Sequence, residues 1–218
     1  MIRSRFASQL NDLNKEIIFM GALCEDIIGK SLGALTNSND VYLDDISETY
    51  HKIEQMERDI EERCLKLLLR QQPVAKDLRR ISSALKMVYD MKRIGAQAYE
   101  IAEIVSLGHI IQGAGSERDQ LNSMSNNVIS MLTKSIDAFI YDNEEQAHQV
   151  IEQDRTVNQE FDKIKKQLVL YFSVQDVDGE YPIDVLMIAK YLERIGDHTV
   201  NIAKWVLFSI TGNLDGEA

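Results

Sequence analysis

The sequence predicts an all-α protein of six long helices, arranged as two tandem, pseudo-symmetric three-helix bundles. Three observations carry this. Two prolines and eleven glycines in 218 residues leave few helix breakers, which favours long helices over a turn-rich sheet fold. Apolar residues recur at alternating spacings of four and three along the long segments, the seam of a helix packed in a bundle. The second half also repeats the first, the mark of an internal duplication.

The first helix is read from Phe6, Leu10, Leu13, Ile17, Met20, Cys24 and Ile27 and runs to about Leu35, where the polar stretch TNSND ends it. The second spans about Val41 to Leu69 on Ile46, Tyr50, Ile53, Met56, Ile60, Cys64 and Leu67, and RQQP with Pro73 breaks it. The third runs from about Lys76 to Leu107, with its seam at Ala84, Val88, Met91, Gly95, Ala98, Ala102 and Val105. A glycine inside a helix costs roughly 1 kcal/mol against alanine, so Gly95 is expected where another helix approaches closely. GHIIQGAGSERDQ then separates the halves.

A shift of 104 residues lays KSLGAL (30–35) on KSIDAF (134–139), Met20 on Met124, Ile53 on Val157 and Ile60 on Ile164. Past the second loop the shift is 101, and KRIGAQAYEIA (92–102) falls on ERIGDHTVNIA (193–203). The last seam is then Val185, Ala189, Leu192, Gly196, Thr199, Ala203 and Val206. The repeats are placed at 1–110 and 115–213. Tyr181 before Pro182 marks the start of the last helix, and Trp205 is expected in the core.

A net charge of -11 argues against a nucleic-acid binder, which needs a basic field over phosphates. It suits a cation-binding role, and equally the solubility of an abundant protein. Cys24 and Cys64 lie on apolar stripes and are read as reduced core residues. The N-terminus MIRSRFASQLNDL lacks the apolar stretch of a secretion signal, and no run approaches the ~20 apolar residues that span a bilayer. A cytoplasmic protein is expected.

Catalytic signatures are not evident. GAGSERDQ lacks the Walker lysine and a preceding strand, and the glycines before IGK and Ser31 have the wrong spacing for a phosphate loop. The four histidines are scattered, and no nucleophile stands at readable spacing from a base. No enzyme is expected. Arg70, Lys76, Arg79 and Arg80 cluster around the second loop, as a cap and solvated rim or as a docking patch for an acidic partner.

The chemistry concentrates in YLERIGDHTVNIAKW (191–205). Glu193 and Asp197, at i and i+4, face the same way at the edge of the packed seam. Their repulsion is relieved by a shared cation, for which carboxylates suit Mg, Mn or Fe, or by Lys190, Arg194 or His198. The Glu-x-x-His pattern of di-iron bundles is not met, since Gly196 stands three residues after Glu193. The first half has Lys92 and Ala96 at the matching positions, where an ammonium repels a cation and a methyl group offers no ligand. Asp90 points roughly 160° away from Lys92 at 3.6 residues per turn.

FASQLNDL, MGALCEDII, MERDIEERCLKLLLRQQPVAKDLR, VNQEFDKIKKQL and YLERIGDHTVNIAKW together resemble the PhoU family, phosphate-transport regulatory proteins of bacteria, over nearly the whole chain. The resemblance implies two three-helix bundles, each with a Glu/Asp-x-x-x-Asp motif that in some members holds multinuclear iron or other metal clusters. Here the second motif is Glu193 and Asp197, and the first falls on Lys92 and Ala96. Any cofactor is thus expected as Fe, Mn, Mg or Zn at the second motif alone. The resemblance further implies a non-enzymatic regulator of phosphate uptake and of the phosphate-starvation response. Such a protein acts as a homodimeric adaptor between the transporter ATPase and a sensor histidine kinase, lowering signalling when phosphate is plentiful. The alternative is a metal-binding helical protein with metal-dependent hydrolase or storage activity. A structural coiled coil would run longer unbroken heptads.

Overall fold

A computed structural model describes residues 2–36, 43–71, 73–112, 115–173 and 179–213. Six helices account for most of them: α1 (Ile2–Thr36), α2 (Leu43–Gln71), α3 (Ala75–Ser106), α4 (Gly115–Tyr141), α5 (Glu144–Tyr171) and α6 (Glu180–Thr211). A short 3₁₀ turn, His109–Gln112, lies between α3 and α4. The helix ends fall within two residues of those read from the pattern. Most of the linker TNSND and the side chain of Arg70 lie outside the described residues.

The seams form the core. Leu13, Ile17, Met20, Cys24 and Ile27 of α1 are buried, as are Ile46, Ile53, Ile60, Cys64 and Leu67 of α2. They join the seams of α3 and of the second half in one continuous apolar cluster. Cys24 and Cys64 are free and buried. Burial pushes the Cys24 thiol well up and the Cys64 thiol up to about 12, so both are inert thiols. Trp205 is only half-buried: its ring meets Phe208 edge-on at 5.7 Å while Ala203 and Val206 beside it hold the core positions. A helical residue between two seam positions points to the rim, and that displaces the indole from the core expected for it.

Each half is a three-helix bundle. In the first, Ser31 Oγ donates to the Ala98 carbonyl (2.7 Å) and Cys24 Sγ to the Met91 carbonyl (3.3 Å), so α1 and α3 run parallel. The bundles meet through α3 against α6 and α1 against α4. His198 pairs with Asp90 and Tyr191 with Glu100, so α3 and α6 run antiparallel. At the second junction, α1 and α4 come so close that a Cβ on Gly21 would stand 2.2 Å from Ile136 Cδ1.

One cation of the basic loop, Arg80, is turned inward. Arg80 donates to Asp142 Oδ1 (2.6 Å) and the Phe139 carbonyl (3.0 Å), and its guanidinium lies 4.4 Å from the Phe139 ring centre. Lys76 Nζ reaches Asp142 Oδ2 at 3.1 Å. Asp142 has φ 51°, a left-handed conformation that aspartate tolerates better than most residues. Arg79 packs against Gly212, the left-handed C-cap of α6. Arg80 and Lys76 thus bridge the two bundles, with Arg80 turned inward and Lys76 exposed on the solvated rim. No helix among the described residues is long and apolar enough to cross a membrane.

Candidate metal centre

Gly196 sits mid-way along α6, buried against α5. A Cβ there would stand 2.9 Å from Asp154 Oδ1 and 3.6 Å from Val157 Cγ1. The missing side chain therefore admits a carboxylate from the neighbouring helix. Asp154 Oδ1 is buried and has no hydrogen-bond partner, while Oδ2 accepts from Asn158 Nδ2 at 2.7 Å. Desolvation raises the Asp154 carboxyl above its ordinary 3.8, the Asp197 charge raises it next, and Asn158 opposes them. Asp197 itself is raised by desolvation first and by Glu193 second, with Lys190, His198 and Arg194 opposing.

The two carboxylates singled out in the sequence occupy different surroundings. Asp197 is exposed, whereas Glu193 is half-buried and Lys190 is hydrogen-bonded to its Oε2. Of the three cations considered for neutralising the pair, Lys190 makes the ion pair. His198 turns the other way and its Nδ1 lies 2.8 Å from Asp90 Oδ1. The arrangement is an acidic rim with one orphaned buried oxygen. Its chemistry suits a cation that would satisfy Asp154 Oδ1 and screen its mutual repulsion with Asp197 and Glu193. The three carboxylates are not drawn within 4.8 Å of one another, so bridging waters or several ions would complete such a centre.

Asp154 has no signature in the α5 sequence. It becomes visible only when the 104-residue shift is carried onto the polar positions, where Tyr50 falls on Asp154 and Glu57 on Phe161. In the first half these exchanges fill the equivalent place. Lys92 Nζ donates to the buried Glu57 and lies 5.4 Å from the Tyr89 ring centre. Tyr50 stacks on Tyr99 at 5.6 Å, and a Cβ on Gly95 would stand 3.1 Å from Ile53 Cδ1 and 3.4 Å from Tyr50 Cδ2. An ammonium with its own carboxylate stands where the second half gathers acids. The charge of Lys92, read from the sequence as repelling a cation, is instead consumed by Glu57. In the second half the exchange is mirrored, with Lys190 Nζ 5.3 Å from the Phe161 ring centre.

Another candidate metal-binding cluster lies at the start of α6. One ligand atom from each of His109, Glu180 and Asp184 falls within 4.8 Å of the others, and His109 Nδ1 is 2.8 Å from Asp184 Oδ2. Sequence reasoning missed it because His109 belongs to the connection between the halves, which carries no periodic pattern. The spacing of Glu180 and Asp184, four apart on one helix, was the one signal available.

Comparison with known proteins agrees with this architecture. The PhoU domain matches residues 17–105 and 121–206. A Clostridium acetobutylicum protein described as a phosphate-specific transport system accessory protein PhoU homolog is 32% identical over 213 residues, covering 97% of both chains. Its Pseudomonas aeruginosa counterpart is 30% identical over 213 residues, covering 97% of this chain and 87% of the relative. The crystal structure of PhoU from Pseudomonas aeruginosa superposes with a TM-score of 0.87 at 30% identity, over 95% of this chain and 100% of that one. That of the phosphate transport system regulatory protein PhoU from Streptococcus pneumoniae gives 0.87 at 26% identity, over 96% and 98%. These relatives bear the names of accessory and regulatory proteins, not of enzymes. The domain match in both halves and the shared identity along nearly the full length place the chain in the PhoU family of phosphate-regulatory proteins.

Proposed function

We propose that this protein is a non-enzymatic regulator of phosphate uptake and of the phosphate-starvation response. It acts as an adaptor between a high-affinity phosphate transporter ATPase and a phosphate-sensing histidine kinase, lowers signalling when phosphate is plentiful, and works as a homodimer at the inner face of the membrane. The observation that carries the reading is the end-to-end match to accessory proteins named for phosphate-specific transport. Its repeats, bounded at 1–110 and 115–213, are unequal in this reading: the second holds the regulatory cation and the first is a helical platform. The test is a clean deletion in the source organism with a phosphate-starvation reporter, together with pull-down of the transporter ATPase. Derepression in rich phosphate and capture of the ATPase support the adaptor. An unchanged reporter and no capture reject it.

The metal part of the proposal assigns Glu193 and Asp197 as ligands for Fe, Mn, Mg or Zn, with Asp154 as the third carboxylate. The orphaned Asp154 Oδ1 supports it. A bound ion would supply fixed positive charge at this acidic rim. The chain's own residues do the rest: Gly196 admits Asp154, Asn158 orients it, and Lys190 holds Glu193. Calorimetric titration with Mn, Mg, Fe and Zn should show weaker binding for Asp197→Ala than for wild type, and equal binding would reject the assignment. The same acidic rim favours one second reading, a metal-dependent hydrolase or metal store. Turnover of phosphate esters with any of these metals, lost in Asp197→Ala, would support that reading over the adaptor.

A further inference from the structure

We propose that His109, Glu180 and Asp184 form a binding site for a divalent transition metal, separate from the acidic rim around Gly196, which fastens the connection between the bundles to the start of α6. Three ligand atoms from these residues lie within 4.8 Å of one another. The set is mixed, with one imidazole nitrogen and two carboxylates. Imidazole favours zinc, iron and other transition ions, whereas all-oxygen sets suit magnesium and calcium. The His109 Nδ1 to Asp184 Oδ2 separation is 2.8 Å. Metal–ligand bonds of about 2.1 Å put neighbouring donors roughly 3 Å apart, so these two atoms already stand near the spacing of adjacent ligands on one ion.

The donors are held in advance. Asp184 is buried, 7% exposed. Glu180 lies one helical turn before it on the same face. Tyr181 and Pro182 between them are buried, and the Tyr181 hydroxyl donates to Glu117 Oε2 at 3.3 Å, which fixes the first turn of α6 against α4. His109 follows Gly108, whose φ of 80° turns the chain back over α6. Glu180 is exposed, which leaves the outer face of the cluster open to water as further ligand.

The duplicated frame has no need of acids here: under the 101-residue shift, Glu180 and Asp184 fall on Arg79 and Ser83, and α3 packs with those residues in place.

The test uses the full chain stripped with EDTA, titrated with Zn(II) by calorimetry and with Co(II) by visible absorption, for wild type, Glu180→Gln, Asp184→Asn and Asp197→Ala. Circular dichroism checks folding. Expected are ligand-field bands from Co(II), a Zn(II)-induced shift of the His109 ring resonances, and a loss of affinity of about tenfold or more in Glu180→Gln and Asp184→Asn. Asp197→Ala should retain this site. Glu180 is exposed, so Glu180→Gln keeps its fold even if Asp184→Asn does not. Wild-type Zn(II) binding by Glu180→Gln, or His109 resonances indifferent to Zn(II), would overturn the proposal. Failure of the acidic rim would appear separately, as no difference between wild type and Asp197→Ala.

Discussion

Asp154 shows how one side chain couples proton, metal and stability. Its carboxyl is raised above 3.8 by burial and by Asp197, so the folded protein holds that proton more tightly than the unfolded chain does. Stability from this group is therefore greatest at and below the ordinary carboxylate range. It falls as pH rises toward the folded value, and stays lower above it. Asp154→Asn should raise the melting temperature of the metal-free protein at pH 7 and give little gain near pH 4, as thermal melts across pH would show. Added Mg, which suits an all-carboxylate site, should raise the melting temperature of wild type and leave the variant nearly unmoved. Lys92 makes the opposite case. Lys92→Met strips the buried Glu57 of its cation, a change worth about 1–3 kcal/mol in a urea titration. Combining it with Glu57→Phe, which copies Phe161 of the other half, should recover most of that loss.

At the level of helices, the glycines separate packing from propensity. A Cβ on Gly29 would meet no atom within 4 Å, whereas one on Gly21 would stand 2.2 Å from Ile136. Gly29→Ala should therefore stabilise by up to about 1 kcal/mol, raising the melting temperature by roughly 2–4 °C in a chain of this size. Gly21→Ala should lose that gain to overpacking at the α1–α4 contact, with a net cost of about 1–3 kcal/mol. The helices were legible because each seam keeps one apolar period for about six turns, and because Pro73 and the polar loops punctuate it. Glu193 and Asp197 were legible for the same reason, as an i,i+4 pair on one helix. Asp154, Glu57 and His109 were not. Each acts across to another element, and a side chain's partner on a different helix leaves no trace in its own helix's period. The inward turn of Arg80 was hidden likewise, since Asp142 lies 62 residues away in sequence.

Across the whole molecule, the duplication has given two bundles with one geometry and different electrostatics. Their seam runs along antiparallel α3 and α6 and holds its own polar contacts: the buried Asp90 takes His198, and Asn201 reaches the same oxygen at 3.5 Å. The Glu57–Lys92 pair then has a consequence for motion. A bundle that carries its counter-ion within the chain opens and closes with a free energy set by its own residues, whereas one that leaves an acidic rim for solvent ions opens more readily when those ions are scarce. Native-state amide exchange should register this as a difference in time. With divalent ions removed, amides of α5 and of the middle of α6 should exchange faster, and they should slow again on adding Mn, while those of α2 and the middle of α3 keep the same rates throughout. Equal response in both bundles would contradict it. The first bundle thus serves as an internal clock against which the ion occupancy of the second can be read.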